Sequence, residues 1–193
     1  MSFLDGLTNS EKTTLVSLPY RAGLWVCMAD DKGQGVGRAH ELKKLERLIE
    51  RLSEGMFASA FVHEVIMTTN ARREEWPAWS LQTGTVPEEA REAVDIIKRR
   101  MMPQDAEAYV QAIMSIAYET AYAYREFDTS ASIPIRIWVG LQLLWEAFIR
   151  TGNKDYRLES LANISLAEDE AIAVLAQSLR LETEETPLSE TGS

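Results

Sequence analysis

Apolar residues recur along this chain at intervals of three and four positions, the spacing that places them on one face of an α-helix. Seven such rows begin near Ser10, Ala39, Ser53, Pro87, Pro103, Pro134 and Ser165. No segment shows the strict alternation of apolar and polar residues that is typical of a half-buried strand. The pattern therefore predicts an all-α fold, a single-domain bundle of about seven helices.

Several of these rows are preceded by residues that typically cap the start of a helix. Thr8 with Glu11, and Ser165 with Glu168, have the spacing of a capping box, in which hydroxyl and carboxylate bind two free backbone amides reciprocally. Ser53 is the predicted N-cap of the third helix. The core rows predicted for the fourth, fifth and last helices are Ala90, Val94, Ile97 and Met101; Val110, Ile113, Met114, Ala117 and Ala121; and Ile172, Leu175, Ala176 and Leu179.

Two segments interrupt the helical pattern. Pro19 lies inside the first row and is expected to kink the helix or divide it, because it lacks a backbone donor. The segment 70–81 is predicted to be irregular, and it contains Trp76 and Trp79 around Pro77. These indoles could form a peptide-binding platform or fix the segment to its own domain. The second interpretation is favoured because each ring buries a large apolar area.

The row that opens at Pro134 is apolar on nearly all sides from Ile135 to Phe148. A helix of this kind is normally buried, so it is the predicted central helix of the bundle. The end of the chain is rich in acids, Ser, Thr and Pro and has little to bury. We therefore expect a helical domain over residues 1–182 and a disordered acidic tail over residues 183–193.

The charge balance narrows the range of partners. The 193 residues carry a formal net charge of −10, which disfavours binding to nucleic acid and to anionic membranes. Cations, basic protein partners and plain solubility stay open. Cys27 is the single cysteine and lies in an apolar run, so it is interpreted as a core residue. With no basic N-terminal leader and no long uncharged apolar segment, the expected location is cytoplasmic, without membrane insertion.

An acidic break follows the first helix. Asp30 and Asp31 come directly after an apolar run and before Gly33, Gly35 and Gly37. Two carboxylates and loop carbonyls could supply part of the oxygen shell of a divalent cation. The spacing differs from that of an EF-hand loop. The alternative is a solvated turn in which the glycines relieve strain.

Two other positions have the residue types of a reactive site. His63 and Glu64 begin like a zinc-protease helix, but Met67 stands where the second histidine is required, so a zinc hydrolase is not predicted. Glu119 lies between Tyr118 and Tyr122 at helical spacing. A carboxylate among aromatic rings can act as an acid or base, and it can equally face solvent.

Two segments resemble tellurite-resistance TerB-like domains. The end of the first helix, 28–33, is similar to the Ala-Asp-Gly break of that family, and 163–182 is similar to its closing helix, with an Ile-Ser start and a terminal Leu-x-Leu. The break at 127–130 falls where a second such break would lie. The resemblance implies an all-helical bundle, a divalent-cation site at the acidic break and a role in stress response or as an interaction module.

The chain also departs from the family pattern. The usual Asp-Gly is widened to Asp30-Asp31-Lys32-Gly33, and the acids expected next are replaced by residues 34–40. Glu41 is the first acid after the break. On the resemblance, Asp30 and Asp31 are the metal ligands that carry over, with Glu41 as a third.

These observations lead to three hypotheses. The first is a noncatalytic cytoplasmic helical module, resembling TerB-like stress-response proteins, that binds a divalent cation or a protein partner. The second is a small-molecule-binding protein or enzyme with an apolar pocket, for which Glu119, Tyr118 and Tyr122 are the site residues, with Trp25 and Trp138 in the lining. The third is a homo-oligomer that uses an exposed face of the second or fourth helix.

Overall fold

Helices make up nearly all of the chain that the computed structural model describes, which is residues 2–29, 36–55, 57–123 and 166–180. The helices are α1 (Asn9–Ala29), α2 (Val36–Ser53), α3 (Ala60–Ala71), the single turn α4 (Trp76–Trp79), α5 (Val86–Arg100), α6 (Pro103–Ala123) and α7 (Leu166–Ser178). Three 3-10 turns accompany them, at Phe3–Gly6, Arg73–Glu75 and Ser80–Thr85. These residues contain no strand, so the predicted all-α class is confirmed.

Six of the helices have 12 residues or more, against the predicted number of about seven. The predicted helix after Pro134 and the predicted acidic tail lie outside the described residues. None of the described helices combines the length and apolar character that a bilayer-spanning segment needs.

The helix at the centre of the described bundle is α1. Every residue from Thr14 to Leu24 is buried, so this helix has no solvent face over three turns. It contacts α2, α3, α5, α6 and α7. Their side chains form one hydrophobic core around it. The central position was predicted for the helix that opens at Pro134, which lies outside the described residues.

The helix α1 continues through Pro19 and is not divided there. Because Pro19 has no N–H, the carbonyl of Leu15 lacks its usual partner one turn later. The Tyr109 hydroxyl on α6 donates to that carbonyl at 2.9 Å. The next carbonyl, that of Val16, accepts from the Thr69 hydroxyl on α3 at 2.7 Å. Donors from two neighbouring helices therefore satisfy the backbone of α1 where the proline interrupts it.

Close packing joins α1 to α2 and α6 at Gly23. A Cβ atom at this position would lie 2.4 Å from Leu45 Cδ1 on α2 and 3.2 Å from Ile116 Cγ2 on α6. The absence of a side chain therefore allows both helices to approach α1 closely.

The observed helix ends confirm one predicted cap and correct another. The Thr8 amide donates to Glu11 Oε2 at 2.9 Å, and the Glu11 amide donates to Thr8 Oγ1 at 3.2 Å, as in a capping box. Ser59, not Ser53, caps α3, and its hydroxyl accepts from the Val62 amide at 3.2 Å. Ser53 is the last residue of α2 and donates to the Glu50 carbonyl at 2.6 Å. The prediction failed because α2 and α3 are separated by a turn.

The predicted core rows of α5, α6 and α7 are confirmed. Their buried members are Ala90, Val94, Ile97, Val110, Ile113, Met114, Ala117, Ala121, Ile172, Leu175, Ala176 and Leu179. Met101, the last member predicted for the α5 row, is half-buried and packs against the core. The helix α5 begins at Val86, one residue before the predicted start, with acids in its first turn and basic residues in its last.

The tryptophan segment is helical rather than irregular, and its indoles are fixed to the core. Trp76 stacks on Tyr20 with ring centroids 4.5 Å apart, and its indole N–H donates to the Thr69 carbonyl at 3.0 Å. Trp79 is also buried, and the guanidinium of Arg72 lies 5.5 Å from its ring centroid. The platform hypothesis is not supported, because neither ring faces solvent.

Candidate functional site

The predicted cation site is only partly within the described residues. Asp30 and Asp31 lie outside them, and Glu41 lies on α2 with its side chain outside the description. The second break, at 127–130, also lies outside. The site therefore stays a prediction. Within residues 2–29, 36–55, 57–123 and 166–180, no group of three or more His, Cys, Asp or Glu residues is placed to hold a metal ion.

Glu64 binds the N-terminal turn instead of serving a zinc site. Its carboxylate accepts from the Phe3 amide at 2.8 Å, from the Leu4 amide at 3.5 Å and from the Ser2 hydroxyl. The carboxylate thus caps the 3-10 turn Phe3–Gly6. The adjacent His63 is half-buried, and its ring lies 6.2 Å from that of Phe57. The Nδ1 atom of His63 is buried without a hydrogen-bond partner in the described part of the chain.

Glu119 is held in an ion pair between α6 and α2. Its Oε2 lies 2.5 Å from the Nη2 of Arg51. The Glu119 side chain is 32% exposed and that of Arg51 is 67% exposed. Burial raises the pKa of the Glu119 carboxyl above its ordinary value, and the nearby charge of Arg51 partly opposes this shift.

The aromatic residues predicted to accompany Glu119 are only partly placed. Tyr118 is half-buried and packs against the core, whereas the side chain of Tyr122 lies outside the description. Trp25 packs against the same core, and its indole N–H donates to the Ala171 carbonyl of α7 at 3.3 Å. Trp138 lies outside the described residues. Glu119 is therefore paired with Arg51, and the predicted pocket around Glu119 stays a prediction.

A buried charged residue, Arg21, was missed by the sequence analysis. It lies in the middle of α1 and is 2% exposed. Its guanidinium forms an ion pair with Glu89, donates to the Gln82 carbonyl and donates to the Thr85 hydroxyl at 2.8 Å. A single arginine within the apolar run of the first helix was the available signal, since charged residues are rarely fully buried unless paired.

The partners of Arg21 also bind one another. The Thr85 hydroxyl lies 2.7 Å from Glu89 Oε1 and 3.0 Å from the Gln82 carbonyl, so these two oxygens share its single proton. We refer to Arg21, Gln82, Thr85 and Glu89 as the Arg21 cluster. Its two charges compensate each other, and the Nε of Arg21 is the one buried nitrogen of the cluster without a partner among the described residues.

No protein-family model, curated protein or solved structure matches the chain.

Proposed function

We propose that the chain is a noncatalytic, cytoplasmic helical module, similar to TerB-like proteins, that acts by binding a divalent cation or a protein partner. The observation that carries this proposal is that half-buried carboxylates within the described residues bind other parts of the fold. Three half-buried acids, Glu64, Glu89 and Glu119, are engaged in contacts that hold the fold.

Glu64, Glu89 and Glu119 illustrate this use. The first caps the N-terminal turn, the second compensates a buried arginine, and the third is paired across α2 and α6. A general acid or base must lie within hydrogen-bond reach of the substrate proton that it transfers. A carboxylate whose oxygens already accept from the fold is poorly placed for that task. The described side chains thus support a binding module better than a hydrolase or an acid–base catalyst.

The cation part of the proposal rests on the order of residues along the chain. The helix α1 ends at Ala29 and α2 begins at Val36, so Asp30 and Asp31 lie in the connection between two helices of the bundle. Connections of this kind can direct carboxylate and carbonyl oxygens towards one ion. Glu41 would be the third ligand.

Calorimetric titration with calcium, magnesium and zinc tests the cation part directly. We expect saturable heat with one of these ions and its loss in the double variant Asp30→Ala, Asp31→Ala. The matched control is Glu92→Ala, Asp95→Ala, which removes two exposed acids from α5 and changes the net charge equally. Absence of heat at millimolar metal, or equal loss in both variants, would leave only the protein partner. Basic proteins are then the class to test, because the chain has a net charge of −10.

A second candidate is a small-molecule binder centred on Glu119, and the observation that favours it is that this carboxyl is half-buried between α2 and α6 and has a raised pKa. A thermal-shift screen of small amines would test it. A stabilising ligand that loses its effect in Glu119→Gln, and keeps it in the exposed control Glu107→Gln on the same helix, would support this function. Equal responses in both variants would rule it out.

A further inference from the structure

The turn Ser80–Thr85 is fixed to the bundle mainly by polar contacts. Its residues Leu81, Gln82, Gly84 and Thr85 are exposed, and Leu81 is 87% exposed. A Cβ atom added at Gly84 would meet nothing within 4 Å. Thr83 is the buried residue of the turn. With so little apolar packing, this turn belongs to the class of segments that open locally while the rest of a protein stays folded.

The contacts that hold the turn converge on one face of α1. Arg21 binds Gln82, Thr85 and Glu89, and the Thr83 hydroxyl lies 3.5 Å from Met28 Sδ. Residues 21 and 28 are seven positions apart and therefore share a face of the helix. The turn thus contacts one face of the second half of α1, from Arg21 to Met28.

We propose that the turn Ser80–Thr85 is a lid over this face of α1, and that the charge of Glu89 in the Arg21 cluster keeps the lid closed. An arginine side chain stays protonated in proteins, so the buried charge of Arg21 needs a carboxylate nearby. When the Glu89 carboxylate is removed, the arginine gains by reaching water, and displacement of the exposed turn that binds it gives that access. The consequence is opening at the lid with the remaining helices intact. This inference does not depend on the proposed function.

Hydrogen exchange measured by mass spectrometry on the full chain tests the proposal. We expect Glu89→Gln to speed exchange of amides within 80–89 by about tenfold to a hundredfold, the effect of losing a charge-assisted hydrogen bond on local opening. In the wild type and in the variant, opening of the lid amides should cost less free energy, and depend less on urea, than opening of the amides in the middle of α6, from Tyr109 to Ala117, which open with the whole bundle. The matched control is Glu88→Gln, which makes the same charge change at the neighbouring exposed position and should leave both segments unchanged.

A second variant protects the test against loss of folding. Thr85→Ala keeps the Arg21–Glu89 pair and removes one hydroxyl of the cluster, so the chain should fold and show a smaller increase in the exchange of the lid amides. Lid amides whose opening free energy and urea dependence equal those of α6 would show that the turn opens only with the whole bundle. If the lid amides of Glu89→Gln exchanged at the wild-type rate, the charge of Glu89 would not be what keeps the lid closed. Either result would overturn the proposal.

Discussion

Among the arginine–glutamate pairs that join neighbouring helices of the described bundle, Arg21–Glu89 and Arg51–Glu119 differ in how far the arginine is withdrawn from water. In the Arg21–Glu89 pair, between α1 and α5, the side chains are 3% and 22% exposed. In the Arg51–Glu119 pair, between α2 and α6, they are 67% and 32% exposed. The first pair buries its cation and much of its anion, whereas the second keeps its cation in water and partly buries its anion.

This difference decides what happens when a pair is broken. A stranded arginine keeps its charge, because a guanidinium stays protonated in proteins. A stranded carboxylate can become neutral by binding a proton, and burial already raises the pKa of Glu119 in that direction. Both pairs join an arginine to a glutamate, but breaking them should lower the free energy of unfolding by unequal amounts.

The largest effect is expected for Glu89→Gln. This change leaves a buried guanidinium without its carboxylate, and we expect the free energy of unfolding to fall by about 3 kcal/mol. Urea denaturation of the variant beside Glu88→Gln would measure it. A loss no larger than that of the control would remove the contrast between the pairs.

A smaller loss is expected for Tyr109→Phe, which removes an uncharged contact from the same buried stretch of α1. The Leu15 carbonyl would lose its donor, at a cost of about 1–2 kcal/mol. The comparison with Glu89→Gln separates the contribution of charge from that of burial. In a Pro19→Ala background the new backbone amide should reduce the loss, and an unchanged loss in that double-mutant cycle would contradict our account of the proline.

The exposed pair should contribute less. We expect Arg51→Ala to lower the free energy of unfolding by at most about 1 kcal/mol, and less still at high salt, because solvent and ions screen the arginine. Denaturation at low and at high ionic strength would measure this. A loss as large as that of Glu89→Gln, independent of salt, would mean that exposure does not distinguish the two pairs.

The smallest effect concerns pH. Since the folded-state pKa of Glu119 is raised above 4.5, its contribution to stability is complete below that value and is lost as the pH rises through the raised pKa. The stability of the wild type relative to Glu119→Gln should therefore decrease across that range. Thermal unfolding of both proteins at several pH values would measure this trend. If the stability of the wild type relative to Glu119→Gln increased with pH, the prediction would be wrong.

Local signals predicted much of the described fold. Helix starts at Thr8 and near Pro87, and the apolar rows of α5, α6 and α7, depend on neighbours in sequence, so spacing and capping rules could identify them. Ser53 illustrates the limit of such rules. A serine can cap a helix or end one, and the choice depends on where the preceding helix stops.

The Arg21 cluster could not be predicted in the same way. It joins residues 61 to 68 positions apart, so no local pattern places Glu89 beside the arginine. The same limit applies to Pro19, which local rules treat as a break. The helix continues there because donors from distant segments bind the carbonyls around it. For the predicted cation site, the sequence identifies the three acids Asp30, Asp31 and Glu41. It does not give their positions relative to one another.

The contact between Tyr109 and Leu15 also bears on the order in which the protein can form during synthesis. Tyr109 follows Leu15 by 94 residues, so the carbonyl freed by Pro19 has no donor from α6 while the chain emerges from the ribosome. Until α6 has been made, the segment that becomes α1 should behave as two short helices on either side of the proline. Its union into one central helix would then be an event that completes the bundle and not one that initiates it.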